Sequence, residues 1–152
     1  MNFRAFIERT QQAEENKDIQ KMLAKLPPSH AALVKGFKWQ FHGGNTLDGD
    51  SQHVGYMDDQ EKEIAVAAPW HYGREFTFLH EIAHRVYEKL PAQLKQQWAV
   101  ISQQLTPEQR KEKAVNQSPE ELFCHSYACF YSKHQLTTYN NPLWMKFIQQ
   151  LS

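Results

Sequence analysis

The spacing of apolar residues changes twice along this chain, from helical to alternating and back, and each change predicts a new set of elements. Phe3, Phe6 and Ile7, then Ile19, Met22, Leu23 and Leu26, recur at helical intervals among charged residues. Pro27 and Pro28 end that pattern, and Ser29 to Lys35 reads as a short turn of helix closed by Gly36. Phe37, Trp39 and Phe41 then alternate with Lys38, Gln40 and His42, the pattern of a strand with one apolar face. Gly43-Gly44-Asn45 and Asp48-Gly49-Asp50 carry turn chemistry. Val54 to Met57 predicts a second, weaker strand, and Ile64, Val66 and Ala68 a third that ends at Pro69. The expectation for residues 36–68 is a small antiparallel sheet.

From Glu75 the period is helical again. Phe76, Leu79, Ala83, Val86 and Leu90 make one stripe, closed by Pro91, and Leu94, Trp98, Ile101 and Leu105 make a second. Thr106-Pro107-Glu108-Gln109 and Ser118-Pro119-Glu120-Glu121 each place a cap residue before proline, with Gln or Glu at the third helical position. From Pro119 to His134 apolar and aromatic residues lie nearly all round the helix: Leu122, Phe123, Cys124, Tyr127, Cys129, Phe130 and Tyr131. A helix with no wet face belongs at the centre of a fold. Leu143, Trp144, Phe147, Ile148 and Leu151 predict a last helix. The organisation expected is a single α+β domain over 1–152: a helical segment to about 35, a sheet to about 68 and helices from 75 onward.

Charge narrows the function classes. Lys plus Arg and Asp plus Glu both number 17, and the balance holds locally: 7 against 8 in residues 1–60, 8 against 7 in 61–113, 2 against 2 beyond. Nothing offers the basic field that holds a phosphate backbone, so nucleic acid is not an expected partner. No apolar run approaches the roughly 20 residues that span a bilayer, and mean hydropathy is −0.71. The first residues lack the apolar run of a signal peptide, and Cys124 and Cys129, five apart on one helix, point to different faces. A reduced, cytoplasmic protein is the expectation, although one released by lysis or carried in a virion would read the same.

The chemistry concentrates in His80-Glu81-Ile82-Ala83-His84. Residues i and i+4 share a helix face, so two imidazoles at this spacing can meet one divalent ion, with Glu81 toward its open side. Zinc suits such ligands; with three protein donors a fourth position is left to water, whose pKa the ion lowers, and the glutamate takes the proton as the oxygen attacks a carbonyl. With 8 His and 12 Glu in 152 residues, chance supplies this pentapeptide with an expectation of roughly 0.03. Each histidine also follows a stripe residue, Leu79 or Ala83, which sets both at the edge of the buried face.

A third donor must come from elsewhere, and the central helix offers Glu121, His125 and Glu120, in that order of preference. Glu121 and His125 are themselves an i, i+4 pair. Glu121 also stands where a capping-box glutamate belongs, which would leave Glu120 to the metal. His125 could instead orient a ligand or help hold an oxyanion.

Phe76-Thr-Phe-Leu-His-Glu-Ile-Ala-His84 resembles the active-site helix of gluzincin metallopeptidases, and Glu121-Leu-Phe-Cys-His-Ser-Tyr-Ala128 resembles the glutamate helix of the anthrax lethal-factor catalytic domain and the Pro-Pro endopeptidases. Pro142-Leu-Trp-Met-Lys-Phe-Ile148 is similar to the stretch that follows in that family, so the likeness covers about 53–152. It implies a zincin-like fold, a zinc metalloendopeptidase activity on a peptide or protein substrate, and zinc on His80, His84 and Glu121. Three departures stand out. His125 replaces the family's second glutamate, Ala83 stands where glycine is common, and the family's oxyanion tyrosine falls on Ala114. Replacement donors are sought among His125, Tyr127, Tyr131, His71 and Tyr72, with His125 and Tyr127 standing beside Glu81 as catalytic candidates. Loss of that tyrosine also sustains a second expectation, a weak or inactive binding protein with a structural metal. A looser likeness is to the ImmA/IrrE-type metalloproteases of phage and mobile elements, which place their third ligand closer to the second histidine.

Trp70-His71-Tyr72-Gly73 reads either as a cleft rim beside a sheet edge that holds an extended substrate or as aromatics capping the sheet. Cys124 and Cys129 read as core residues. His30, His42, His53 and His134 are assigned to surface or loop, and Asp48-Gly49-Asp50 to a polar turn.

Overall fold

The computed structural model describes residues 17–42, 55–58, 60, 62–67, 73–111, 117–132 and 139–151. Helix α1 is described over 17–24; α2 (Pro28–Ala31) runs into a 3-10 turn at Ala32–Val34 and ends at Gly36, whose φ of +82° suits a residue without Cβ. Three strands follow, β1 (Lys38–His42), β2 (Gly55–Asp58) and β3 (Glu63–Ala67). The remaining helices are α3 (Gly73–Lys89), α4 (Ala92–Ile101), α5 (Pro107–Arg110), α6 (Pro119–Tyr131) and α7 (Pro142–Gln150).

The architecture is α+β, but the sheet is not antiparallel as expected. Its order is β1-β3-β2, with β3 antiparallel to β2 and parallel to β1. Alternation along a strand reports which face is apolar and is blind to direction. The connection from His42 to Glu63 exceeds the dozen or so residues that a parallel crossover needs, and β2 lies within that connection and pairs antiparallel with β3. The centre goes to the most apolar strand, Glu-Ile-Ala-Val-Ala. In register, Ile64 lies between Trp39 on one side and Met57 on the other, and its side chain is fully buried.

Helix α3 has Glu75 in its first turn and Lys89 in its last, the order that the helix dipole favours. It packs against β3 and β2 and, more extensively, against α6. Leu79, Ile82, Ala83 and Val86 are buried, and Phe78 meets Trp39 of β1 edge to face at 4.9 Å. Helix α6 is the central one: Leu122, Phe123, Cys124, Ser126, Tyr127, Ala128 and Cys129 are all buried, and both cysteines are free thiols. Trp98 of α4 anchors the far side, with ring contacts to Phe123, Trp144 and Phe147. Its indole N–H donates to Pro119 O at 2.6 Å and that of Trp144 to Ile101 O at 2.9 Å, so both buried N–H groups are satisfied. Among the described residues no helix is long and apolar enough to cross a membrane. The expectations for Phe3, Phe6, Ile7, Gly43 to Asp50, His53, Trp70 to Tyr72, Ala114 and His134 lie outside the described residues.

Candidate metal centre

Because α3 and α6 press together along their lengths, the hydrophilic edge of one faces that of the other. On α3, His80 and His84 lie one turn apart, their rings edge to face with centroids 5.0 Å from each other. On α6, Ser118 caps the helix by accepting from the Glu121 N–H at 3.2 Å. The Glu121 carboxylate is directed across the gap to the histidines. His80 Nε2 lies 3.3 Å from Glu121 Oε2, and His84 Nε2 lies 3.2 Å from Oε1.

These separations allow a test of fit. Zinc bonds to nitrogen and oxygen of about 2.0–2.1 Å place neighbouring ligand atoms about 3.3 Å apart at the tetrahedral angle. Each imidazole Nε2 stands at about that separation from a different oxygen of Glu121, Oε2 for His80 and Oε1 for His84, and the residue types suit the ion. Glu120 Oε1 is 3.4 Å from His84 Nδ1, the ring nitrogen turned away from Glu121, where a carboxylate fixes the tautomer of a ligating histidine. Of the three alternatives on α6, Glu121 is the one set between both histidines.

His125 joins the same cluster. Its Nε2 is 4.0 Å from Glu121 Oε2, and its ring centroid is 4.5 Å from that of His80. The ligand atoms of His80, Glu121 and His125 all lie within 4.8 Å of one another, as do those of His80, Glu81 and His84. The Nδ1 atoms of His80 and His125 are buried without a hydrogen-bond partner among the described residues.

The electrostatics follow from these contacts. Hydrogen bonding to His80 and His84 holds the Glu121 carboxyl well below the usual range. The Glu121 carboxylate in turn lifts the His84 imidazole to about 9. Burial pushes His125 down to about 3, with the neighbouring His80 charge adding to the effect, so its ring is neutral. Burial raises Glu81 from its ordinary value, against the opposing pull of His80 and His84. A carboxylate made more basic by its surroundings and placed beside two imidazoles that could hold a metal suits proton abstraction.

Tyr127, expected as a candidate oxyanion donor, is elsewhere. Two residues beyond His125, its side chain leaves α6 on another face, is fully buried, and hydrogen-bonds His30 Nδ1 at 2.9 Å. His30 is accordingly a core residue, not the surface or loop histidine anticipated. It is 7 % exposed on α2, and burial lowers its pKa. Tyr131 is engaged with Tyr127 and Phe130. The residue that sequence reasoning missed is Tyr139, which is buried and stacks on His125 at 4.6 Å with 19° between the planes. It lies between predicted helices, outside any periodic pattern, and so gave no signal.

Compared with known proteins, the chain matches no family model, no curated sequence and no solved structure.

Proposed function

We propose that the protein is a zinc-dependent metallopeptidase that hydrolyses peptide bonds in a peptide or protein substrate. The observation carrying this reading is the convergence of His80 and His84 on the Glu121 carboxylate at 3.3 and 3.2 Å, with Glu81 grouped with the same two histidines. His80, His84 and Glu121 would hold the ion, and when bound it would polarise the scissile carbonyl and acidify water. Glu81 takes the proton of the attacking water, made more basic by its burial, and returns it to the departing amine nitrogen. Glu120 keeps the His84 ring oriented. The small sheet beside α3, with α6 across from it, supports a zincin-like fold. Strand β2 is paired with β3 alone among the described strands, and its other edge would hold an extended substrate by backbone hydrogen bonds.

One observation favours a second reading, a binding protein with a structural ion. His125 is near enough to bring the protein donors to four, and closed four-donor sets are characteristic of structural zinc. A structural site has no use for a base, so Glu81 discriminates. Purified protein is tested for zinc content and for chelator-sensitive cleavage of a peptide library, beside Glu81→Gln. Cleavage lost in Glu81→Gln with zinc retained supports the peptidase; equal cleavage by both, or none by either with zinc retained, refutes it.

A further inference from the structure

We propose that His125 is itself a fourth protein donor of this centre, making a set of three histidines and one glutamate, and that Phe76 and Tyr139 hold its ring in position to donate. The proposal rests on the metal reading above and specifies the coordination of that site.

Three observations converge on His125. Its Nε2 faces the carboxylate oxygen that also meets His80, at 4.0 Å against the roughly 3.3 Å of a tetrahedral edge. A shift of less than about 1 Å, within the range of a small side-chain rotation, would close the difference. Its ligand atom groups with those of His80 and Glu121 within 4.8 Å, while His84 groups with His80 and Glu81, so a four-donor set draws His84 and His125 together about the shared His80 and Glu121. Finally, the ring lies near-parallel to two aromatic rings from separate parts of the chain, Phe76 on α3 at 6.1 Å and 21°, and Tyr139 ahead of α7 at 4.6 Å and 19°. Both aromatics are buried, so the imidazole plane is fixed by packing rather than left to rotate. With four protein donors the tetrahedral shell is complete without water. The water that Glu81 deprotonates would then enter as a fifth donor or in place of His125.

The test uses the full chain with Zn²⁺ and Co²⁺. Zinc is titrated while long-range ¹⁵N spectra follow the imidazole nitrogens, and three rings, His80, His84 and His125, are expected to shift together. His125→Ala is expected to lower metal affinity at least tenfold and to change the visible spectrum of the Co²⁺ form. Tyr139→Phe should retain the wild-type Co²⁺ spectrum and Tyr139→Leu should alter it, because stacking and not the hydroxyl sets the ring plane. Two shifting rings in the wild type, or a Co²⁺ spectrum and affinity unchanged by His125→Ala, overturns the proposal while leaving the metal reading intact. A wild type that takes up no ion overturns both. Should His125→Ala fail to fold by circular dichroism, the count of shifting rings in the wild type decides.

Discussion

Metal binding by this cluster should release a proton, and the structure says which one. In the metal-free protein the Glu121 carboxylate at 3.2 Å lifts His84 from its ordinary 6.5 to about 9. At pH 7 the ring is therefore protonated, and an ion that needs its Nε2 lone pair must displace that proton. Glu121 contributes none, because it is already ionised. Between pH 7 and 9 the apparent zinc affinity should rise about tenfold per unit, about 100-fold in all, equivalent to about 2.7 kcal/mol, and then level off. Stability of the metal-free protein runs the opposite way. A raised histidine pKa contributes stability that is complete below 6.5 and is lost as pH climbs through about 9. Competition titration against a chromophoric chelator gives the affinity, calorimetry in buffers of different ionisation heat gives the proton count, and thermal melts give the stability. A proton count near zero at pH 7, or an affinity flat from pH 7 to 9, would show that His84 is not the ligand or that Glu121 does not hold it.

Three further outcomes follow from other contacts. Glu81→Gln should retain zinc at wild-type affinity and lose roughly 10²–10⁴-fold in cleavage rate, the contribution of a positioned base; a peptide-turnover assay with metal analysis on the same sample checks both. Tyr127→Phe leaves His30 Nδ1 without its buried partner, costing about 1–3 kcal/mol in chemical denaturation, with zinc affinity and cleavage unchanged; altered catalysis would return Tyr127 to the site. Asn141→Ala removes the side chain that caps α7 at Leu143 N and Trp144 N and that donates to Gln104 O and Gln109 Oε1. A loss of about 2–4 kcal/mol is expected, and a melting temperature within 2 °C of wild type would contradict it.

The α3 stripe was legible because its two periodic signals agree: apolar residues at helical spacing turn inward, and the histidines one step beyond each stripe residue come out at the edge of that face. The buried face of α6 was legible for the same reason. What escaped the sequence depends on partners far along the chain. Strand direction was lost because alternation is the same in parallel and antiparallel pairs. His30 read as a surface residue because nothing in Pro-Ser-His-Ala announces a tyrosine 97 positions later that will accept its company in the core. Tyr127 read as a site residue because a donor was sought in place of the family's tyrosine, yet two steps on a helix turn a side chain by about 200° from His125. Tyr139 meets His125 from 14 positions further along the chain, with no periodic pattern linking the two.

The two capping sequences make the same point energetically. Thr106 and Gln109 close a full capping box: the Gln109 N–H donates to Thr106 Oγ1 at 3.2 Å, and the Thr106 N–H donates to Gln109 Oε1 at 3.0 Å. Ser118 and Glu121 begin identically, with the Glu121 N–H donating to Ser118 Oγ, but the Glu121 side chain lies between two imidazoles. In either use the ionised carboxylate makes charge-assisted bonds of about 1.5–3 kcal/mol each, but folded back it would meet one backbone N–H, whereas across the gap it meets two imidazoles. Given His80 and His84 on the facing helix, the second use wins, and the helix keeps the serine half of its cap. A local motif thus fixes where α6 starts, while the opposing helix decides what its third residue does. Moving those histidines, as in a His80→Ala, His84→Ala double variant, should free Glu121 to fold back on the Ser118 N–H. Amide exchange at Ser118 should then slow relative to wild type, and an unchanged rate would mean that the carboxylate is held across the gap by something other than the imidazoles.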